Sequence, residues 1–224
     1  RLIGYFISEG SINLSEKNKL EDKVYAVYVS PLKSLGGDIF VNLILPLEEI
    51  EKIANKRLGI RIGLRTGDTS VSERQKMLKN PPHILVTTSE SLAIMLSSPK
   101  FEELLKNTQY FIMDELHSFA ENKRGTHLAI SVERLNKISP NMTRIGLSAT
   151  TEPIEELAKF LVGHERSCKI AKVDFSKKLD VKVISPVPDL INITQRQLHH
   201  TLYSLLDNLI EEHKTTLIFT NTRA

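Results

Sequence analysis

"YFIMDELHSFAENKRG" (Tyr110–Gly125) runs four apolar residues into two adjacent carboxylates and, one leucine later, a histidine. A carboxylate at the end of an apolar strand is costly to desolvate unless its charge is needed there. A hydrated metal ion, a proton in transit or a basic side chain would each supply the need. Asp-Glu pairs also serve simply as helix caps, so "DELH" alone leaves the matter open. Its surroundings decide the fold class. Upstream, "KVYAVYVS" (23–30), "IRIGL" (60–64) and "HILVTT" (83–88) read as strands, and "TRIGLS" (143–148) follows downstream. Helical patterns separate them: 32–59, expected to break at Pro46; 70–80, with Ser70 and Glu73 spaced as a capping box and Pro81-Pro82 as its stop; 89–98; 100–107; about 125–138; and 153–163. Strands alternating with helices imply βαβ units and a mostly parallel sheet, and near-continuous apolar strands imply a sheet covered on both faces. Both features predict an α/β fold.

Past "CKIAKVDFSKKLDVKVISPVPDL" the rhythm changes to two expected short strands, a basic dipeptide and two prolines, then one helix at about 194–213 and the strand "TTLIFT". A domain junction is expected near 172–180, with Lys177-Lys178 as a solvated linker. The two domains are expected at 1–173 and 174–224, the second incomplete. "RLIGYFI" lacks a cap in front of it and "TTLIFTNTRA" stops just after a strand, so both ends read as cut from something longer.

Composition narrows the class. The chain has 224 residues, 41% of them apolar and 25% charged, as in ordinary globular proteins. No apolar run approaches the roughly 18–20 residues that span a bilayer, so no membrane partner is expected. One cysteine, Cys168, excludes an internal disulfide and suits a reducing, cytoplasmic setting. A net charge of +3 neither demands nor excludes nucleic acid. The late histidines 199, 200 and 213 lack ligand-spaced cysteines or clustered carboxylates, so a metal site there is not expected.

In open α/β sheets ligands gather at the carboxyl ends of the strands. The segments that follow the strands are "SPLKSL", "RTGDTS", "TSESL", "DELH" and "SAT", each polar or poised at a helix start whose N–H groups favour anions. Five in succession describe a surface equipped for phosphates. Lys33, in the first turn of a helix where the dipole disfavours cations, points the same way. Asp114 fits an acid that holds Mg²⁺ directly or through its waters, and Glu115 one that polarises an attacking water. Arg65 with Asp68 could instead form a turn with a local ion pair, the less favoured reading, and Arg124-Gly125 could simply open a helix.

These segments resemble the motifs of the superfamily 2 DExH helicases in order: "SPLKSL" motif Ia, "TTSESL" motif Ib, "DELH" motif II, "SAT" motif III and "LIFTNTRA" motif IV. Within that superfamily, "RTGDTSVSERQKMLKNPPHILVTTSESL" and "KRGTHL" look most like the large helicase-related (Lhr) proteins. The resemblance implies a RecA-like three-layer α/β/α domain with a mostly parallel sheet, followed by the beginning of a second RecA-like domain. It implies ATP and Mg²⁺ as cofactors, and single-stranded or partly duplex nucleic acid as partner, DNA ahead of RNA. It also implies translocation 3′ to 5′ driven by ATP hydrolysis. Residue by residue, Asp114 matches the metal ligand, Glu115 the activator of water and His117 the link from the nucleotide site to the rest of the motor. Ser148 and Thr150 match the coupling motif. Pro31, Lys33, Arg65, Thr66, Thr87, Thr88, Glu90 and Arg124 fall in segments expected to line the nucleic-acid backbone, with Asn221, Thr222 and Arg223 on the second domain's edge. The contacts expected from donors of this kind carry no base information, and the motifs offer no aromatic ring for bases to stack on.

The sequence departs from the pattern in two places. It contains no G-x-x-x-x-G-K-[ST] loop, nor any Gly-Lys dipeptide, so the 224 residues alone are expected to be inactive on ATP. Ser89 stands where the motif usually has proline. Two other classes remain: another P-loop NTPase, which would share the acidic strand end but not the succession of motifs, and a nucleic-acid-binding module with a degenerate nucleotide site, which would have no use for an intact "DELH".

Overall fold

The apolar runs pair as one fully parallel sheet. A computed structural model of the chain describes residues 20–31, 33–120, 122–149, 153–172 and 180–219, with backbone alone at 33–36. Thr150, Asn221, Thr222, Arg223 and the side chain of Lys33 therefore lie outside the described residues. The strands are β1 (Ala26–Ser30), β2 (Ile62–Arg65), β3 (Ile84–Thr88), β4 (Tyr110–Met113) and β5 (Thr143–Gly146), in the spatial order β2-β3-β1-β4-β5. Register is continuous: Val29 lies opposite Thr87 on one side and Met113 on the other, and Met113 lies opposite Gly146. Because all the strands run the same way, all five carboxyl ends share one rim.

The helices are α1 (Lys33–Ile53), α2 (Val71–Lys79), α3 (Ser89–Leu96), α4 (Pro99–Leu105), α5 (His117–Ala120), α6 (Lys123–Ile138), α7 (Ile154–Val162) and, in the second unit, α8 (Gln195–Glu212). Alternation along the strands assigns the two faces. Val27, Val29, Phe111 and Met113 point into the main core with Leu92, Met95, Phe119, Leu128, Leu135 and Leu161 from α3, α5, α6 and α7. Ala26 and Ile84 point the other way, toward Leu43 of α1. The result is helix, sheet, helix, the RecA-like arrangement. Deleting a fully buried ring such as Phe111 or Phe119 would cost about 3–5 kcal/mol.

Several local expectations hold and several need correction. Ser70 caps α2 with a complete capping box, Ser70 Oγ accepting from Glu73 N–H while Glu73 accepts from Ser70 N–H. No residue of α2 is fully buried, although the capping box holds its start. The break expected at Pro46 does not occur, and α1 runs through it. Pro46 sits on the exposed side of the helix, where the carbonyl that loses its donor can turn to water. Between the acidic pair and the helix expected at about 125–138, the chain forms the short helix α5. The strands expected within 168–190 and at "TTLIFT" are not strands in their described residues. Val181, Val183, Leu217 and Phe219 are all exposed there. A strand needs a neighbour to satisfy its ladder, and these segments have none among the described residues.

The chain divides into two compact units, Arg1–Ala171 and Lys172–Ala224. In the second, Thr194 and Gln197 form another capping box at the start of α8. Among the described residues, no helix is long and apolar enough to cross a membrane.

Candidate functional site

Topology places the acidic pair. β1 exits toward β2 and β4 exits toward β5, so their connections diverge and open a crevice at the carboxyl ends of these two neighbours. Asp114 follows β4 at that point, its N–H still bonded to the carbonyl of Val29 in β1 (2.9 Å). Its carboxylate accepts from Glu115 N–H (2.9 Å) and from the hydroxyl of Tyr28. Burial first, then that bond and the adjacent acidic charges, push the Tyr28 phenol well above its ordinary range, so it stays a donor. No basic side chain pairs with Asp114 among the described residues. The charge is half-buried, oriented and unneutralised.

Glu115 adopts a left-handed conformation (φ 48°), which costs a residue with a side chain about 1 kcal/mol. That reversal turns the chain out of the strand and into α5. Leu116 N–H then bonds to Leu147 carbonyl (2.8 Å) and Leu147 N–H to Met113 carbonyl (2.9 Å), locking the acidic loop to the segment after β5. The side chains repeat the connection. His117 Nε2 lies 3.2 Å from Glu115 Oε2, and its Nδ1 lies 3.1 Å from Ser148 Oγ. One imidazole thus joins the acidic pair to the serine of the "SAT" turn, 31 residues away in sequence.

The remaining rim is built mostly by side chains that face inward. Arg65, Thr66, Thr87 and Thr88 are buried. Arg65 donates to the carbonyl of Thr66 and stacks 5.9 Å from the centre of the Phe101 ring; burial, then the nearby charge of Arg74, lower its pKa. Thr87 Oγ1 donates to the carbonyl of Arg65 (2.6 Å), stitching β3 to β2, and Thr88 caps α3 by accepting from Ser91 N–H. Arg74 wraps the intervening loop, donating to the carbonyls of Gly67 and Thr69. Thr66, Thr87 and Thr88 use their hydroxyls on neighbouring backbone groups, whereas Arg65 Nε is buried without a hydrogen-bond partner among the described residues. Pro31 is also buried, and its carbonyl is taken by Arg124 (2.9 Å). Glu90 and Arg124 are exposed and pair with each other (2.7 Å). Tyr28 and Arg74 went unnoticed in the sequence. Tyr28 becomes meaningful only through register: it lies opposite Ile112, two residues before Asp114 and so on the same face.

A parallel sheet with an acidic pair at its switch point, joined through a histidine to the serine of the next turn, is the arrangement of a RecA-like domain. The DEAD/DEAH box helicase family model matches residues 10–160, and the chain belongs to that family. Within it, the chain is 56% identical over 218 residues to the ATP-dependent helicase Lhr-Core of Methanocaldococcus jannaschii, covering 95% of this chain and 26% of that protein. It is 36% identical over 217 residues to the Lhr helicase/uracil glycosylase of Escherichia coli, covering 88% of this chain and 14% of that one. The solved structure of Mycobacterium smegmatis helicase Lhr bound to ssDNA and AMP-PNP superimposes with a TM-score of 0.80 at 36% identity, over 98% of this chain and 29% of that one. Mss116p, at 20% identity and a TM-score of 0.56, shares the fold. The chain thus spans about a quarter of the length of the Lhr-Core proteins it matches.

Proposed function

We propose that residues 1–173 form the first motor domain, and 174–224 the linker and beginning of the second, of an Lhr-type helicase that moves 3′ to 5′ along a DNA strand by hydrolysing ATP. The observation that carries this reading is the bonded series Asp114, Glu115, His117, Ser148 along one rim of the sheet. The division of the chain at Ala171/Lys172 supports the domain assignment. The preference for DNA over RNA is supported by the Mycobacterium smegmatis relative, solved with ssDNA.

Asp114 fits a Mg²⁺ ligand: it is a hard oxygen donor at a strand end, oriented by Tyr28 and Glu115 N–H and without a basic partner among the described residues, and Mg²⁺ typically takes one or two carboxylates alongside phosphates and water. The bound ion would neutralise charge on the phosphates during transfer. Glu115 stands next to it with a half-exposed carboxylate, within reach of a water it would orient or deprotonate. His117 holds that carboxylate on one nitrogen and Ser148 on the other, so a shift of Glu115 is felt at the turn after β5. Thr150 and, from the second domain, Asn221, Thr222 and Arg223 would extend this coupling to the strand. Along the rest of the rim, the inward-facing threonines and Arg65 shape loops that would present backbone N–H groups to phosphates, contacts blind to base sequence. A cytoplasmic location fits this role.

The test is ATP hydrolysis by the full-length protein with and without single-stranded DNA. Stimulation by the strand is expected; turnover indifferent to it would point to another kind of NTPase, and binding without turnover to a degenerate module. The 224 residues alone, which contain no G-x-x-x-x-G-K-[ST] loop, should show no Mg²⁺-dependent turnover.

A further inference from the structure

Arg124 occupies the first turn of α6, an end of the helix whose dipole disfavours a cation. Its contacts explain the placement. Nε donates to Glu90 Oε1 (2.7 Å), in the first turn of α3, and Nη2 donates to the carbonyl of Pro31 (2.9 Å), at the exit of β1. The guanidinium lies 6.0 Å from the centre of the Phe119 ring of α5, the helix that begins at His117. Three segments 34 and 93 residues apart from or adjacent to Arg124 therefore meet on one planar group. Burial works against the Glu90 carboxylate, but the bond from Arg124 and a backbone N–H outweigh it and hold its pKa down to about 2. Gly125 makes the approach feasible: a Cβ there would sit 1.8 Å from the carbonyl oxygen of Phe119. With a side chain at 125, α6 could not bring Arg124 this close to α5.

We propose that Arg124 is a positioning residue, which clasps the β1 and β3 exits to the helix that carries His117, rather than a donor to the nucleic-acid backbone. Its identity as part of a strand-driven motor rests on the function proposed above; the clasp itself rests on these contacts. Glu90 cancels most of the attraction Arg124 would hold for a phosphate, and moving the guanidinium outward would strip Pro31 of its donor. The fork geometry of arginine, which can hold a carboxylate and a carbonyl in one plane, suits this role better than that of a point charge.

The experiment compares Arg124→Ala, Arg124→Lys, Glu90→Gln and the Arg124→Ala/Glu90→Gln double variant of the full-length protein. A clasp predicts that Arg124→Ala and Glu90→Gln each lower the maximal DNA-stimulated rate of ATP hydrolysis on the order of tenfold. The double variant should be no worse than either, and Arg124→Lys should restore little. The salt dependence of single-stranded DNA binding should keep its slope in all four. A phosphate contact predicts the opposite pattern: Arg124→Ala would reduce that slope by about one, and Glu90→Gln, by removing a repelling charge, would tighten binding. That result would overturn the proposal. Urea unfolding of the 224-residue chain provides a readout independent of activity: the two single variants and the double variant should share one lowered midpoint, and additive losses would refute the clasp. If the unaltered full-length protein shows no stimulation by DNA, the motor reading fails, and the unfolding cycle still decides the clasp.

Discussion

Replacing Gly125 with alanine should destabilise the protein, although the same change in an ordinary helix stabilises it. Glycine costs a helix about 1 kcal/mol relative to alanine, so propensity alone favours Gly125→Ala. The added Cβ, however, would lie 1.8 Å from the carbonyl oxygen of Phe119 and 2.7 Å from its carbonyl carbon. Both are backbone atoms, which cannot swing aside as a side-chain tip can, so α5 and α6 would have to separate by about 1.5 Å to reach ordinary contact. Overpacking of this kind costs about 1–3 kcal/mol or more. Because backbone atoms are involved the clash falls at the upper end of that range and outweighs the propensity, with an expected net loss of about 1–2 kcal/mol and a fall in Tm of about 2–8 °C for a domain of this size. Gly37 of α1 is the internal control, since a Cβ there meets nothing within 4 Å. Thermal unfolding followed by circular dichroism should show Gly37→Ala melting a little higher than the unaltered chain and Gly125→Ala clearly lower. If Gly125→Ala melts at or above the unaltered chain, the close approach of α5 and α6, and the placement of Arg124 that depends on it, are wrong.

Three further outcomes follow from the titrating groups and the acidic loop. His83 is fully buried, and burial, then the charge of Arg61, depress its pKa to about 4; the unfolded chain therefore binds a proton that the folded one refuses, and stability should fall as pH drops from about 6.5 to about 4. Urea midpoints across that window should slope less in His83→Gln. Glu133 is held at about 2 by hydrogen bonds from Arg166 and Arg144, so the stability it contributes is present above its unfolded pKa, about 4.3, and is lost as pH falls from there toward 2. Because its side chain is 49% exposed, solvent screens the pair, and Glu133→Gln should lower the midpoint at pH 7 by an amount worth less than about 1 kcal/mol while flattening the acid limb. Asp114→Asn in the full-length protein should reduce ATP hydrolysis on the order of a hundredfold or more while leaving thermal stability close to that of the parent, measured by steady-state turnover beside a melting curve.

The alternation of apolar runs and amphipathic helices was enough to read the α/β class, the parallel sheet and most element positions, because each rests on local periodicity. The errors share a cause as well. The expected break at Pro46 followed a propensity, and the exposure of that side of α1 overrode it. The strands expected within 168–190 and at "TTLIFT" followed apolar content, but pairing depends on a neighbour that the sequence pattern does not supply. Among the site residues, Asp114, Glu115, His117 and Ser148 were legible because their chemistry is unusual for where they stand. Arg65, Thr66, Thr87 and Thr88 were located correctly on the rim, yet which way their side chains face was not legible, since a threonine at a strand end serves a ligand or its own backbone with the same atoms.

Local order along the chain, with carboxylates, hydroxyls and helix starts recurring after each apolar run, was determined by the sequence itself, because hydrophobic periodicity and capping act over a few residues. Only the tertiary structure decided that Tyr28 faces Asp114, that His117 reaches Ser148, and that Arg124 closes on Glu90 and Pro31. Each of these contacts joins residues far apart in the chain. Their geometry depends on strand register and on how closely two backbones can approach, quantities set by the packing of the whole sheet and its helices.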